Sequence, residues 1–188
     1  SVDGGSGNDT LNLTAILPGT GADFTRWSPT GGNTWTDAAT VDRNSSFSAV
    51  SAFVTTASAG TAYLQYGNSG SGIWTNQLSI KNVENWNILA GSTDGDLLIV
   101  RGTGTQYDGG SGGTDTLYAD WSAASTNINW TNDPATSKQV HGVTVSGIER
   151  MLIATGSGDD TIDNTYTGNN TNDYIASGAG IDSIKSGA

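Results

Sequence analysis

The chain contains no cysteine, so no disulfide framework holds it together. Proline is scarce, at three residues, and methionine and histidine occur once each. His141 has no second His or Cys at ligand spacing, which argues against a zinc site. No H-E-x-x-H stretch exists to build a zinc protease, and no G-x-S-x-G elbow exists to present a nucleophilic serine. Basic residues are few, seven against 18 acids, for a net charge of −11. Nucleic acid is therefore not an expected partner, because phosphate binding requires clustered Lys and Arg. Long apolar runs are missing as well. The longest aliphatic run, Leu97 to Val100, is far too short to span a membrane. The first residues lack the charged-then-apolar pattern of a Sec-type signal peptide.

What is abundant is glycine, at 27 residues, together with aspartate. Only Glu84 and Glu149 among the acids are glutamates. A solvated helical surface would favour Glu and Lys, both good helix formers. Aspartate mixed with Gly, Ser, Thr and Asn belongs instead to turns. The aspartates also fall in phase. Written in nines, the tail reads T-G-S-G-D-D-T-I-D from Thr155, an interruption at Asn164 to Thr167, then G-N-N-T-N-D-Y-I-A and S-G-A-G-I-D-S-I-K. Each nine carries Asp in its sixth place (Asp160, Asp173, Asp182) and Ile in its eighth (Ile162, Ile175, Ile184). Two carry paired glycines, Gly156 with Gly158 and Gly178 with Gly180. The pattern predicts a turn, where glycine accepts φ > 0, followed by a short strand with one side chain per nine pointing inward. A carboxylate fixed among exposed turn carbonyls is a hard-oxygen site suited to Ca²⁺.

The best copy is Gly4-Gly5-Ser6-Gly7-Asn8-Asp9-Thr10-Leu11-Asn12. Gly109 to Leu117 is another, with one extra residue at Gly113-Thr114 before Asp115. Ala90 to Leu97 is a weaker one, ending on Asp96 and Leu97 with Thr93 replacing a glycine. Pro18 to Asp23 is degenerate, with Thr25 in the inward place. These stretches resemble G-G-x-G-x-D-x-U-x, the calcium-binding nonapeptide of the RTX, or haemolysin-type, repeat family. The resemblance covers about half the chain and implies an all-β fold, a right-handed parallel β-roll or β-helix with β-hairpin insertions. It also implies several Ca²⁺ ions in the turn columns, held by backbone carbonyls and the sixth-place aspartates of neighbouring coils. Carried over residue by residue, the metal ligands would be Asp9, Asp96, Asp115, Asp160, Asp173 and Asp182, with Asp94 and Asp159 beside them. The turn glycines Gly5, Gly7, Gly110, Gly112, Gly156, Gly158, Gly178 and Gly180 would complete the shells. Thr93 and Thr171 depart from the family pattern, as does the insertion at Gly113-Thr114, which puts those sites in doubt.

Four segments are expected in one elongated domain: 1–23 with the first turns, 24–79 as an insertion, and two repeat units over 80–144 and 145–188. The insertion places Trp27, Trp35, Phe47, Phe53, Tyr63, Tyr66 and Trp74 among Ser, Thr and Ala, with strand-like alternation and Gly turns. Its aromatics read either as core filling against the repeat stack or as a platform for stacking sugars. The two repeat units share an aliphatic-Glu pair, Val83-Glu84 and Ile148-Glu149, each leading into a Gly-Ser-Asp turn. Between them, Thr126 to Thr131 and Lys138 to Val145 alternate, and Asn132-Asp133-Pro134 suggests a hairpin turn. Two nonapeptides per coil predict that Asp160 stacks on Asp182 and Asp96 on Asp115, with Asp173 on the opposite edge.

The function these features predict is a calcium-binding extracellular module that folds on binding Ca²⁺, part of a larger secreted or surface protein. In the family such a chain stays unfolded for one-step export and folds outside. The alternative is an adhesin or surface-layer module that binds glycan through the aromatic insertion. An enzyme is not expected; a β-helix polysaccharide lyase or epimerase would have to recruit Arg101, Arg150 and Tyr107. The abrupt start and the stop at Lys185 to Ala188, where another turn is due, read as a piece of a longer chain.

Overall fold

The computed structural model describes residues 1–14, 23–28, 36–37, 50–51, 61–68, 73–89, 95–103, 105–166 and 171–186, without the side chains of 14, 23–28, 36–37, 61–68 and 73–77. Asp94 and the side chains of the seven insertion aromatics lie outside the described residues. The architecture is all-β with parallel sheets and almost no helix.

Strands β1 (Val2–Asp3) and β2 (Thr10–Thr14) flank the first glycine turn. Strands β3 (Asp23–Ser28), β4 (Thr36–Asp37), β5 (Thr61–Asn68) and β6 (Ile73–Lys81) follow. They form one sheet in the order β1-β6-β5-β3-β4, antiparallel apart from the β1–β6 pair. The stretch is thus β-rich, and Thr61 to Tyr66 falls in β5 as its alternation predicts; Phe47 to Thr55, whose alternation also suggests a strand, is instead helical at its described residues, Val50 and Ser51. Strand β1 ties the sheet to the repeats.

The remaining chain winds among three further sheets. Its strands are β7 (Asn85–Leu89), β8 (Leu97–Ile99), β9 (Gln106–Asp108), β10 (Thr116–Asp120) and β11 (Asn129–Thr131). Then come β12 (Lys138–Val140), β13 (Val143–Ser146), β14 (Arg150–Ala154), β15 (Thr161–Asp163), β16 (Tyr174–Ala176) and β17 (Ser183–Lys185). Sheet I runs β12-β13-β9-β7-β2, sheet II β16-β14-β10-β8 and sheet III β11-β15-β17. Every pairing in them is parallel except β12 with β13. Each return of the chain to a sheet lays a strand beside the previous one, so turns preceding equivalent strands stack in columns.

The hairpin differs from expectation. Residues 126–131 do not pair with 138–145; β11 joins sheet III, and β12 folds back on β13 around His141 and Gly142. Both turn residues have positive φ, 41° and 84°. This is the two-residue hairpin geometry that matches strand twist, although sequence favours Asn or Gly where His141 stands. Asn132-Asp133-Pro134 still turns the chain, with Ala135 N–H donating to Asp133 Oδ1 at 3.0 Å. Strand β12 occupies the edge of sheet I beyond β13. Among the described residues, the last winding passes from sheet III to sheet II without a strand in sheet I.

The core also departs from one inward aliphatic per nine. That spacing holds in sheet III, where only Trp130 of β11 and Ile162 of β15 are fully buried. In sheet II, consecutive residues are buried: Leu97, Leu98 and Ile99, then Leu117, Tyr118 and Ala119, then Met151, Leu152 and Ile153. A parallel sheet covered on both faces reads as a continuous apolar run. Val50, fully buried, belongs to the same core, and β3 contacts β8, so the insertion contributes to the covering. The final winding is thinner, with Ile184 38% and Ile181 86% exposed.

Candidate metal centre

A strand that begins at a turn has N–H groups without a partner in its own winding. Here carboxylates of the next winding accept them. Before sheet II, Asp96 N–H donates to Asp115 Oδ1 (2.7 Å), Asp115 N–H to Glu149 Oε2 (2.8 Å) and Met151 N–H to Asp173 Oδ1 (2.9 Å). Four acids therefore follow one another up a single edge. Asp96 and Asp115 are almost wholly buried. Burial, and to a lesser degree the negative charges of Asp96, Glu149 and Asp108, pushes the Asp115 carboxyl up to about 9, against the pull of the Asp96 N–H. Burial raises the Glu149 carboxyl as well.

A second column precedes sheet III. Ile128 N–H donates to Asp160 Oδ1 (2.8 Å) and Asp160 N–H to Asp182 Oδ1 (2.9 Å). Beside it, Asp159 N–H donates to Asn127 Oδ1 (3.0 Å) and Ile181 N–H to Asp159 Oδ1 (2.8 Å). The turns sit directly on one another. A Cβ at Gly178 would collide with Gly156 O and approach Thr155 O, and one at Gly180 would collide with Gly158 O. Only glycine fits there, and φ is +74° at Gly178 and +137° at Gly180. The carbonyls Thr155 O, Gly156 O and Gly158 O thus face the 177–182 turn, with Gly156 O accepting Ala179 N–H at 2.9 Å. An unused acceptor ends the lower turn: Asp160 is 1% exposed, and its Oδ2 has no hydrogen-bond partner among the described residues.

The first turn repeats part of this arrangement. Asp9 N–H donates to Glu84 Oε2 (2.9 Å), and Asp9 Oδ2 is also buried without a hydrogen-bond partner among the described residues. Gly5 and Gly7 take φ of +82° and +142°. In the 109–115 turn, Gly110 N–H donates to Asp108 Oδ1 (3.1 Å), and Gly110 and Gly112 have φ of +89° and +103°.

The sequence register is that of the structure for Asp160 with Asp182, 22 residues apart, and for Asp96 with Asp115, 19 apart. Asp173 stands on the other edge, in the sheet II column. What the sequence reading missed is that Glu84 and Glu149 are themselves column members. Each follows a buried aliphatic, Val83 or Ile148, and takes the place of a sixth-position aspartate. Their position immediately before a strand was the available signal. The two copies serve different sheets, β7 in sheet I and β14 in sheet II. Asn132 and Asn164 were also missed, although each directly follows its strand triplet.

Among the described residues, no three acidic or histidine side chains converge as a metal group. A cation would therefore have to draw most of its shell from carbonyls. The donors, carboxylate and carbonyl oxygen, suit Ca²⁺ chemically. The residues considered for polysaccharide chemistry are occupied otherwise. The buried Tyr107 hydroxyl accepts from Arg101 N–H (2.6 Å) and donates to Arg101 O (3.1 Å). The Arg101 guanidinium lies 5.3 Å from the Trp86 ring centroid, and Arg150 Nε donates to Asn172 O (2.9 Å). His141 is exposed, with its ring 5.5 Å from that of Trp121. No protein-family model matches this chain, and no curated protein or solved structure does either.

Proposed function

We propose that this chain is a calcium-stabilised structural module of a larger secreted or cell-surface protein, its windings a right-handed roll of the RTX type. The observation that carries the proposal is the buried Asp160 Oδ2, without a hydrogen-bond partner among the described residues, at the end of a glycine turn that stacks directly on the next. A buried anionic oxygen without a partner is costly. Calcium, which takes six to eight oxygens in flexible geometry, removes that cost. Asp160 and Asp182 would hold it, with carbonyls of the 155–158 turn. The ion would neutralise the columns and fasten the last winding, whose apolar burial is small. Binding at extracellular Ca²⁺ levels would then favour the folded chain outside the cell.

Thermal unfolding in Ca²⁺ and in excess chelator tests this. One ion at about 100 times its Kd adds about 2.7 kcal/mol, which in a chain of this size is a shift of roughly 5–10 °C. Chelation should lower Tm by at least that much and remove hydrogen-exchange protection from 159–163 and 181–185. Mg²⁺ should restore little, because it demands octahedral geometry and gives up water reluctantly. Identical melting in both buffers would overturn the reading.

A further inference from the structure

We propose that Asn164 stands in for a cation at the turn before β16, so that this turn is latched by a side-chain amide while the turns at Asp160 and Asp182 take metal. Asn164 is fully buried. Its Nδ2 donates to Asp173 Oδ2 (2.9 Å) and to Glu149 O (3.1 Å), one carboxylate and one backbone carbonyl. Those are the two kinds of oxygen that a calcium ion gathers. The amide is oriented for this role. Asn132 Nδ2 donates to Asn164 Oδ1 (2.8 Å) and to Ile148 O (2.8 Å), which leaves the Asn164 amino group facing Asp173. Thr171, where the repeat pattern has glycine, adds a second donor. Its Oγ1 lies 3.1 Å from Glu149 O and 3.2 Å from Asp173 Oδ1. Met151 N–H completes the set on Oδ1. Both oxygens of Asp173 are thus engaged by neutral donors, whereas Asp160 Oδ2 among the described residues has none.

The contrast has a physical basis. Asn164 directly follows β15, as Asn132 follows β11, and this place brings both asparagines inward. A neutral amide at that place satisfies the carboxylate without bringing a second charge into the buried column. The latch would therefore work at any calcium concentration.

The test is exchange of amide for acid at constant shape. In Asn164→Asp a carboxylate would oppose Asp173 and Glu149 O. In chelator the urea-unfolding constant should rise by about a hundredfold. Saturating Ca²⁺ should recover most of that loss, and calorimetry should count one more bound ion than in the unsubstituted chain. Asn164→Ala removes the donors without adding charge. It should raise the unfolding constant about tenfold, with no recovery specific to this variant on adding Ca²⁺. Thr171→Val, a milder change, should show the same calcium-independent loss at smaller size. Stability of Asn164→Ala equal to the unsubstituted chain in Ca²⁺ would mean that metal, not Asn164, holds Asp173, and would overturn the proposal. An Asn164→Asp variant that neither gains an ion nor recovers in Ca²⁺ would do the same. The proposal rests on the calcium reading only for its contrast with Asp160. If the unsubstituted chain binds no calcium, that reading fails, while the Asn164→Ala loss in chelator still reports on the latch.

Discussion

At the scale of single residues, the two oxygens of a column carboxylate have different tasks. Asp160 Oδ1 accepts Ile128 N–H, which an amide oxygen could do equally well; Oδ2 has no such partner among the described residues. Asp160→Asn should therefore keep the winding intact in chelator and weaken Ca²⁺ binding by about tenfold or more, as read by titration calorimetry. Asp115 poses the opposite case, a carboxyl raised by burial from its ordinary 3.8 to about 9. The folded chain then holds a proton that the unfolded chain has released. That stabilisation is complete below about pH 4 and is lost as pH rises toward 9. Glu149, raised by burial too, acts in the same direction. In chelator, Tm should increase as pH falls from 8 to 5, and a flat profile would contradict this. A bound cation should flatten the dependence by favouring the charged carboxylates.

At the scale of elements, the glycine turns are stacking devices as much as bends. Gly178 combines a left-handed φ with a neighbouring carbonyl where a Cβ would sit, whereas Gly5 has the φ but open space around it. Gly178→Ala should cost about 3 kcal/mol, collision added to strain, and Gly5→Ala only about 1 kcal/mol. Urea unfolding of the two variants separates the contributions. The β12–β13 hairpin is the other element with wide consequences. It occupies the edge of sheet I, and the winding that contains it is long: Asp115 and Glu149, neighbours in the sheet II column, are 34 residues apart, against 19 for Asp96 and Asp115.

Across the described residues, the apolar core draws on sheets I, II and III, with its longest buried runs in sheet II, while the acid columns stand before the strands. With a net charge of −11, part of the benefit of calcium is general neutralisation, and salt screens such repulsion. Screening does not give the buried Asp160 Oδ2 a ligand. Raising NaCl to about 0.5 M in chelator should therefore recover less of the Tm than about 1 mM Ca²⁺ does. Equal recovery would reduce calcium to a counter-ion.

The sequence by itself determined what period and composition encode. Gly-x-Gly with Asp in the sixth place and Ile in the eighth specified turn-then-strand units, and the lengths of the interruptions specified which aspartates meet. The alternation at 61–66 specified a strand, though that at 47–55 did not, and the surplus of Asp over Glu specified turns over helices. These signals are local, because backbone freedom at glycine and side-chain alternation are set within a few residues. What only the tertiary structure decided depends on who arrives from a distant winding. Glu84 and Glu149 join the aspartate columns because each stands before a strand that lies next to another. Sheet II buries both faces because Val50 of the insertion shares its core. The hairpin closes on His141 because β11 is drawn into sheet III by β15. Asp160 and Asp173 occupy the same place in their repeats. They differ because Asn164 reaches one and nothing among the described residues reaches Oδ2 of the other, a difference of neighbours in space that no nine-residue pattern contains.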